Sequence, residues 1–453
     1  MESPRWEGVK VNSTGLSTGV NLMVMRFRPS VGFVIVMALL LAPVPFGVWA
    51  WAKASSVRAN FHPGMPFLEA LRFEEPLRAP ELTPEQIAEG RRIADKQRAR
   101  MLAMFPDLAV TPHPVPDEEN AFLQLHLIEV ASGRNEQPFL PSELRDWSSP
   151  LDIDAARELL ELHSDWVKTA EHLASLTKSS SSNMPESFDG FVGARTAMSA
   201  ADHLLLKAQL AAEEGDEEGA LRLVGLARNI GGHYRDVERP SLMGETITIL
   251  VDLSALDATN HGILPALGPS ADLAGWRTVL ASRCTPKALA HTMRGEWFCS
   301  LGMMTLYLAH PETTPPDPDR LVEVFTERFS REAKRLDQAT LSDLHLLSGS
   351  LVHESSHGLS EKSSEILNWF SIGGQAWYRG FTRAALKHAH LDAGLELLQR
   401  EQHGEDLTTL TACDTINPLT NEPFEFDPVT RTLPEPNSPD DHDLLIDPLP
   451  LPW

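Results

Sequence analysis

Val31 to Ala52 (VGFVIVMALLLAPVPFGVWAWA) is a run of 22 residues without a charged side chain, placed just behind Arg26 and Arg28. About 20 apolar residues span the hydrocarbon core of a bilayer as a helix, and no other window in the 453-residue chain approaches this one. The stretch therefore constrains where the rest of the chain is found. Two readings fit it. As a signal-anchor it stays in the membrane, with Trp49 and Trp51 at the far interface, where indole rings prefer to lie. As a cleavable signal peptide it has a basic n-region, an apolar run from Val31 to Leu41, helix-breaking Pro43 and Pro45, and an A-x-A site at Ala50-Trp51-Ala52. Basic residues ahead of a span stay inside, so both readings send residues 53–453 across the membrane. The expected location is the inner membrane, single-pass, with the bulk of the chain in the periplasm or another extracytoplasmic space. Met25-Arg26-Phe27-Arg28 reads as a natural start, with the preceding residues as an extension.

The chain as a whole has an ordinary globular composition, 42% hydrophobic and 23% charged. A net charge of −24 argues against nucleic acid, which needs a basic footprint, and against docking on anionic lipid heads. Cys284, Cys299 and Cys413 cannot all pair. An oxidising compartment permits a Cys284–Cys299 disulfide, while small buried apolar cysteines are the plainer reading. No zinc spacing of Cys and His is present.

Helix signals dominate. Thr83-Pro84-Glu85-Gln86 supplies an N-cap, Pro at N1 and an acid in the first turn; this helix is expected to run to Phe105, before Pro106. A proline-rich link (Thr111 to Pro116) leads to a helix over Glu119–Ala131. The next is expected over Ile153–Leu176, with Leu159, Leu162, Trp166, Ala170 and Leu173 on its buried face. Lys178 to Asn183 (KSSSSN) reads as a flexible exposed loop. Leu204, Ala208, Ala211, Gly215, Ala220, Val224 and Ala227 fall at the offsets of a tetratricopeptide helix hairpin, turning at Gly215-Asp216. No second copy follows at that period. Further helices are expected at Ser241–Asn260, Asp272–Arg283, Pro286–His310, Pro318–Thr340 and Glu361–Gln402. From Asp414 the chain becomes rich in Pro, Asp and Asn, a small ordered cap ending in an extended, partly mobile tail.

The expected fold is all-α: an irregular stack of antiparallel helix hairpins, one of them tetratricopeptide-like, after an N-terminal transmembrane helix and before a small irregular cap. The expected organisation is a cytoplasmic segment (1–30), the span (31–52), a helix and proline-rich linker (53–118), an exported helical domain (119–413) and the cap and tail (414–453).

The order of features resembles a group of exported, membrane-anchored, all-helical proteins of planctomycete-type bacteria. The residues that carry the resemblance are Asn120-Ala121 at a helix start, Gly215-Asp216 in a hairpin turn, and Arg294-Gly295-Glu296 as a further helix start. Later come His403-Gly404 at the end of the long last helix and the turn Asn417-Pro418-Leu419-Thr420-Asn421-Glu422-Pro423-Phe424. The closing segment, Asp440-Asp441-His442-Asp443 then Leu445-Ile446-Asp447, resembles the cap of the major pseudopilin of type II secretion. A Gly-rich loop and Tyr-Pro follow His-Gly in that group and are missing here, which weakens the inference of bound calcium and leaves ion binding by the acidic cluster open. The resemblance implies an exported helical fold and brings no activity with it.

One motif can carry chemistry. His353-Glu354-Ser355-Ser356-His357 fits H-E-x-x-H: on a helix the two imidazoles share a face and can hold Zn²⁺, and Glu354 would activate the metal-bound water. A third ligand is required, and only Glu361 and Glu365 stand nearby. Four serines and a glycine crowd the segment Ser348 to Ser356, poor material for a rigid helix. His388 and His390 cannot share a helical face, and Lys387 beside them suggests a solvated surface. Trp276, Trp297, Trp369 and Trp377 fit core packing, and Met303-Met304 gap filling. No G-x-S-x-G, Walker loop or dinucleotide fingerprint is found, and no lipobox Cys follows the apolar run.

The leading expectation is a non-enzymatic, membrane-tethered scaffold working through protein–protein contact and without a cofactor. The alternative is an exported zinc metallopeptidase, with His353 and His357 as ligands and Glu354 as base.

Overall fold

The computed structural model describes residues 83–132, 138–182, 193–310, 314–347, 358–371, 374–436 and 446–452. Val31–Ala52, His353–His357 and Asp440–Asp443 lie outside them. Among the described residues, no helix is long and apolar enough to cross a membrane.

The fold is mainly helical. The first helix, α1 (Pro84–Met104), begins where the sequence places it: Thr83 and Gln86 form a reciprocal capping box, and Pro84 sits at N1. It ends at Phe105, before Pro106. Helix α2 (Ala121–Ser132) is capped by Asn120, whose Oδ1 accepts from the Leu123 N–H at 3.3 Å. The expected single helix over Ile153–Leu176 is instead two, α3 (Ile153–Leu162) and α4 (Ser164–Ser175). The break falls at His163, whose Nδ1 lies 2.9 Å from His203 Nε2. The break shifts the helical phase, so Leu162 is 75% exposed while Ala170 and Leu173 stay buried.

Helices α5 (Ala194–Glu213) and α6 (Glu217–Arg235) form the central hairpin. Gly215 takes a left-handed φ of 78° at the turn, and the Asp216 carboxylate caps α6 through the Gly219 N–H at 2.9 Å. Ala208, Ala220 and Ala227 are fully buried, so small side chains let the two helices approach. Helix α7 (Leu242–Ala258) packs on both and runs into a π-helical turn, Thr259–Ile263. Short helices α8 (Leu264–Leu267) and α9 (Leu273–Val279) follow.

A second core gathers α10 (Pro286–Leu308), α11 (Pro318–Gln338), α12 (Leu341–Leu347), α13 (Glu361–Ser371) and α1 around Trp297, Phe325 and Leu301. The residues expected as a linker are therefore part of it: Met101 and Leu108 are buried here. Where one helix was expected over Glu361–Gln402, α13 ends at Ser371 and α14 (Gly374–Gln402) begins. The sequence there is Gly373-Gly374, weak helix-forming material. Helix α14 is 29 residues, about 43 Å at 1.5 Å per residue. Its Tyr378–Ala385 stretch serves the second core and Leu386–Leu398 the first, so it ties the two together.

The chain closes with two antiparallel strand pairs, β1 (Ala412–Ile416) with β2 (Pro423–Glu425), and β3 (Thr432–Leu433) with β4 (Leu449–Pro450). Of the described tail residues, Leu449 pairs with Leu433, and Ile446 and Leu451 are buried. A Cβ added at Gly394 of α14 would lie 2.9 Å from the Leu449 side chain, so glycine lets the strand sit down on the helix.

The cysteines are free. Cys284 precedes the cap of α10 and Cys299 lies well inside that helix, about 20 Å further along its axis. A disulfide needs Cα atoms within about 7 Å, so these two do not pair.

Candidate functional site

The serine run corrects the expectation of a flexible exposed loop. Ser179 and Ser180 are buried, and the run wraps the carboxylate of Glu238, itself 1% exposed. Glu238 accepts from Ser180 Oγ at 2.7 Å, from the Ser181 N–H at 2.8 Å, and from Ser182 Oγ. The His113 N–H of the proline-rich link adds a longer bond at 3.4 Å. Burial alone would raise the Glu238 pKa, but these donors outweigh it and hold the carboxyl down to about 2. Asn120 clamps the other side, donating to the Ser180 carbonyl at 2.9 Å and accepting from its N–H at 3.0 Å. Each donor is spent within the loop, so this is a structural knot.

Two ion pairs lie deeper. Arg228 of α6 meets Asp252 of α7 with Nε to Oδ1 at 2.9 Å, and Arg235 meets Glu245 with Nε to Oε2 at 2.9 Å. Arg228 also donates to the carbonyls of Val279 and, at 3.1 Å, Ala281. His388 Nδ1 lies 3.0 Å from the Leu280 carbonyl. These three carbonyls are the frayed end of α9, which explains why it stops at Val279 rather than at Arg283: buried cationic and N–H groups take over its last acceptors. His388 and His390 are 3% and 2% exposed, so the solvated surface expected beside Lys387 is instead interior. Burial drives the Cys284 thiol next to Arg235 up to about 12, which keeps it protonated and inert.

The motif residues of the resemblance sit at caps and close approaches. Arg294-Gly295-Glu296 is not a helix start but the middle of α10. A Cβ on Gly295 would meet the Pro240 carbonyl oxygen at 2.1 Å, so the backbone of that loop rests on the glycine. Glu296 caps α7 by accepting the Leu242 N–H at 2.8 Å, and Arg294 reaches the Asp107 carbonyl at 2.8 Å. Gly404 ends α14 with φ 87°. Asn417 closes the β1–β2 turn, its Oδ1 accepting from the Leu419 N–H at 2.9 Å.

A concave site lies elsewhere among the described residues. A cavity of about 280 Å³ opens between the end of α7 with its π-turn, one face of α14, and the tail. Asp257, Asn260 and His261 come from the first wall, Arg383, Lys387 and His390 from the second. Residues 383, 387, 390 and 391 follow the i, i+4, i+7, i+8 spacing of a single helical face. Ile446, Asp447 and Leu449 close it from the tail. Lys387 Nζ pairs with Asp257 Oδ1 at 2.5 Å. Burial lowers the Arg383 pKa, and Asp447 and Asp257 oppose that fall. Burial likewise holds His390 neutral, down to about 4, and its Nε2 is buried without a hydrogen-bond partner. Sequence reading passed over this face because it dismissed Lys387 and its neighbours as surface; the four-residue spacing from Arg383 was the available signal.

The zinc-motif residues His353, Glu354 and His357 lie outside the described residues, and so does any geometry for them. Of the nearby carboxylates, Glu361 is exposed at the start of α13. Trp276 and Trp297 are core residues, as expected, and Met304 is buried in α10. Among the described residues no group of three metal-ligating side chains converges. Comparison with protein families, with curated proteins and with solved structures finds no match.

Proposed function

We propose that the chain is a membrane-tethered extracytoplasmic scaffold that acts through protein–protein contact rather than catalysis. The tether rests on the charge-free run Val31 to Ala52, and the resemblance to exported helical proteins agrees with it. The observation that supports the contact reading is an outward apolar pair on α2: Leu127 and Val130, at i and i+3, are 46% and 64% exposed. Large apolar side chains grouped at a surface mark interaction sites. The α5–α6 hairpin has the spacing of a tetratricopeptide unit, but α4 and α7 cover it, so the contact surface is assigned to α2 and not to a groove of that hairpin.

The test is a photo-crosslinking side chain at position 130 in the full-length protein in native membranes. A discrete adduct that disappears in a Leu127→Asp variant of unchanged abundance supports the reading. Absence of any adduct at positions 127 and 130 contradicts it.

The alternative, an exported zinc peptidase, rests on the H-E-x-x-H motif alone, with His353 and His357 holding the metal and Glu354 as base.

A further inference from the structure

We infer that the His163–His203 pair is a pH-sensitive latch, which holds α3 on the body of the protein and releases it in acid. The neighbours fix its polarity. His203 Nδ1 lies 2.7 Å from the Ser199 carbonyl, which can only accept, so Nδ1 carries the hydrogen and Nε2 the lone pair. His163 Nδ1, 2.9 Å from that lone pair, is then the donor. His163 is half-buried and His203 fully buried, so a first proton goes to His163 Nε2. That leaves the bond in place and makes it charge-assisted. A second proton goes to His203 Nε2. Both facing nitrogens then carry hydrogens on charged rings, and attraction turns to repulsion.

Among the described residues no carboxylate is placed to neutralise the second charge. His163 is the titratable group that faces His203. Asp202, beside it on α5, turns to Arg145 at 3.5 Å. On the helices packed around α5 the buried and half-buried carboxylates are engaged elsewhere. Glu129 of α2 caps α5, Glu171 of α4 pairs with Lys207, and Glu217 of α6 accepts from Trp276 Nε1. Glu245, Asp252 and Asp257 of α7 pair with Arg235, Arg228 and Lys387. The charged residues of α3, Asp165, Lys168 and His172 of α4 and His261 of the π-turn are exposed, and α8 has none.

The element that gives is α3. His163 stands between it and α4. Helix α4 buries Val167, Ala170, Leu173 and Ala174, whereas α3 fully buries only Ala156. The ion pair from α3 to α5, Arg157 with Glu214 at 2.8 Å, is half exposed and worth little. Without the imidazole bond α3 lifts away, baring the face of α5 beneath it. Burial and the adjoining His163 hold His203 down to about 4, which sets the release in that range.

The test is hydrogen exchange read by mass spectrometry on the full-length, detergent-solubilised protein, with labelling times scaled to the intrinsic rate at each pH. Between about pH 6 and about pH 4, α3 is expected to exchange about tenfold faster while α10 keeps its protection. His163→Gln is expected to abolish that acid step, because an amide donates to neutral His203 and accepts from its charged form. His203→Gln, which takes no proton, should likewise hold α3 at the lower pH. A purely structural contact would do the reverse, weakening α3 at every pH in the variants and leaving the acid step intact. No acid step in the wild type, loss of protection in α3 and α10 together, or a step of unchanged size in the variants would overturn the assignment. Where one variant fails to fold, the other decides.

Discussion

Arg228 Nε and Asp252 Oδ1 lie 2.9 Å apart with their side chains 1% and 0% exposed, joining α6 to α7 at the centre of the molecule. Burial by itself would raise the Asp252 pKa. The His388 ring, whose Nε2 lies 3.6 Å from Asp252 Oδ2, and the Arg228 charge outweigh burial and hold the carboxyl well below the ordinary range. A buried pair of this kind adds little over a well-packed apolar pair, but removing one partner strands a charge. Arg228→Met is therefore expected to destabilise the protein by about 3–5 kcal/mol. Arg228→Met with Asp252→Leu should be less damaging than the sum of the two single changes. It still falls short of wild type, because the Val279 and Ala281 carbonyls lose their donor. Urea unfolding of the three variants checks this; simple additivity would contradict it.

Gly295 stands where the α10 backbone meets the Arg239-Pro240 loop. Gly295→Ala places a methyl 2.1 Å from a carbonyl oxygen that cannot swing away, and is expected to cost about 3 kcal/mol or more. Gly215→Ala is the control: φ is 78° but no atom lies within 4 Å of the new Cβ, so only the backbone conformation is penalised, about 1 kcal/mol. Equal losses in the two variants would sink the steric account.

Burial holds His203, His233 and His390 at about 4. In the unfolded chain each takes a proton near 6.5. Their folded values are depressed, so the stability they contribute is complete above about pH 6.5 and is lost as pH falls toward 4. The slope is about 1.4 kcal/mol per pH unit for each histidine in that window. Denaturation midpoints are expected to fall steadily between about pH 7 and pH 4.5, and less steeply in His203→Gln. A flat midpoint over that range rules the mechanism out.

Glu238 acts at lower pH. With a folded value of about 2 against an ordinary 4.5, its contribution is present above about pH 4.5 and fades as pH drops through 2. Glu238→Gln keeps the shape but turns an acceptor into a donor facing serine hydroxyls and an N–H. It is expected to cost about 2 kcal/mol at pH 6, and the gap from wild type should close toward pH 2. A gap independent of pH would show that packing, not charge, matters there.

The helices were legible where local chemistry decides them. The Thr83 capping box, Pro286 and Pro318 at helix starts, and the Gly215 turn all act over a few residues, and they appear where the sequence puts them. Three of the misses share one cause, a distant partner. His163 breaks a continuous helical pattern because its ring is drawn to His203, 40 residues away. The serine run looked solvated because serine usually is; Glu238, more than 50 residues on, turns it inward. Helix α9 ends early because Arg228 and His388 claim its carbonyls. The cavity needed three chain segments to meet, and spacing on α14 alone could show only one of its walls.

The central claim, a scaffold rather than a metalloenzyme, is tested most directly by metal content. The full-length protein, purified without chelator or metal-affinity tag and then incubated with excess zinc and desalted, is expected to retain no stoichiometric metal, and to match a His353→Ala, His357→Ala variant. Close to one zinc per chain in the wild type, absent from that variant, would contradict the account and establish a metal site at the H-E-x-x-H motif.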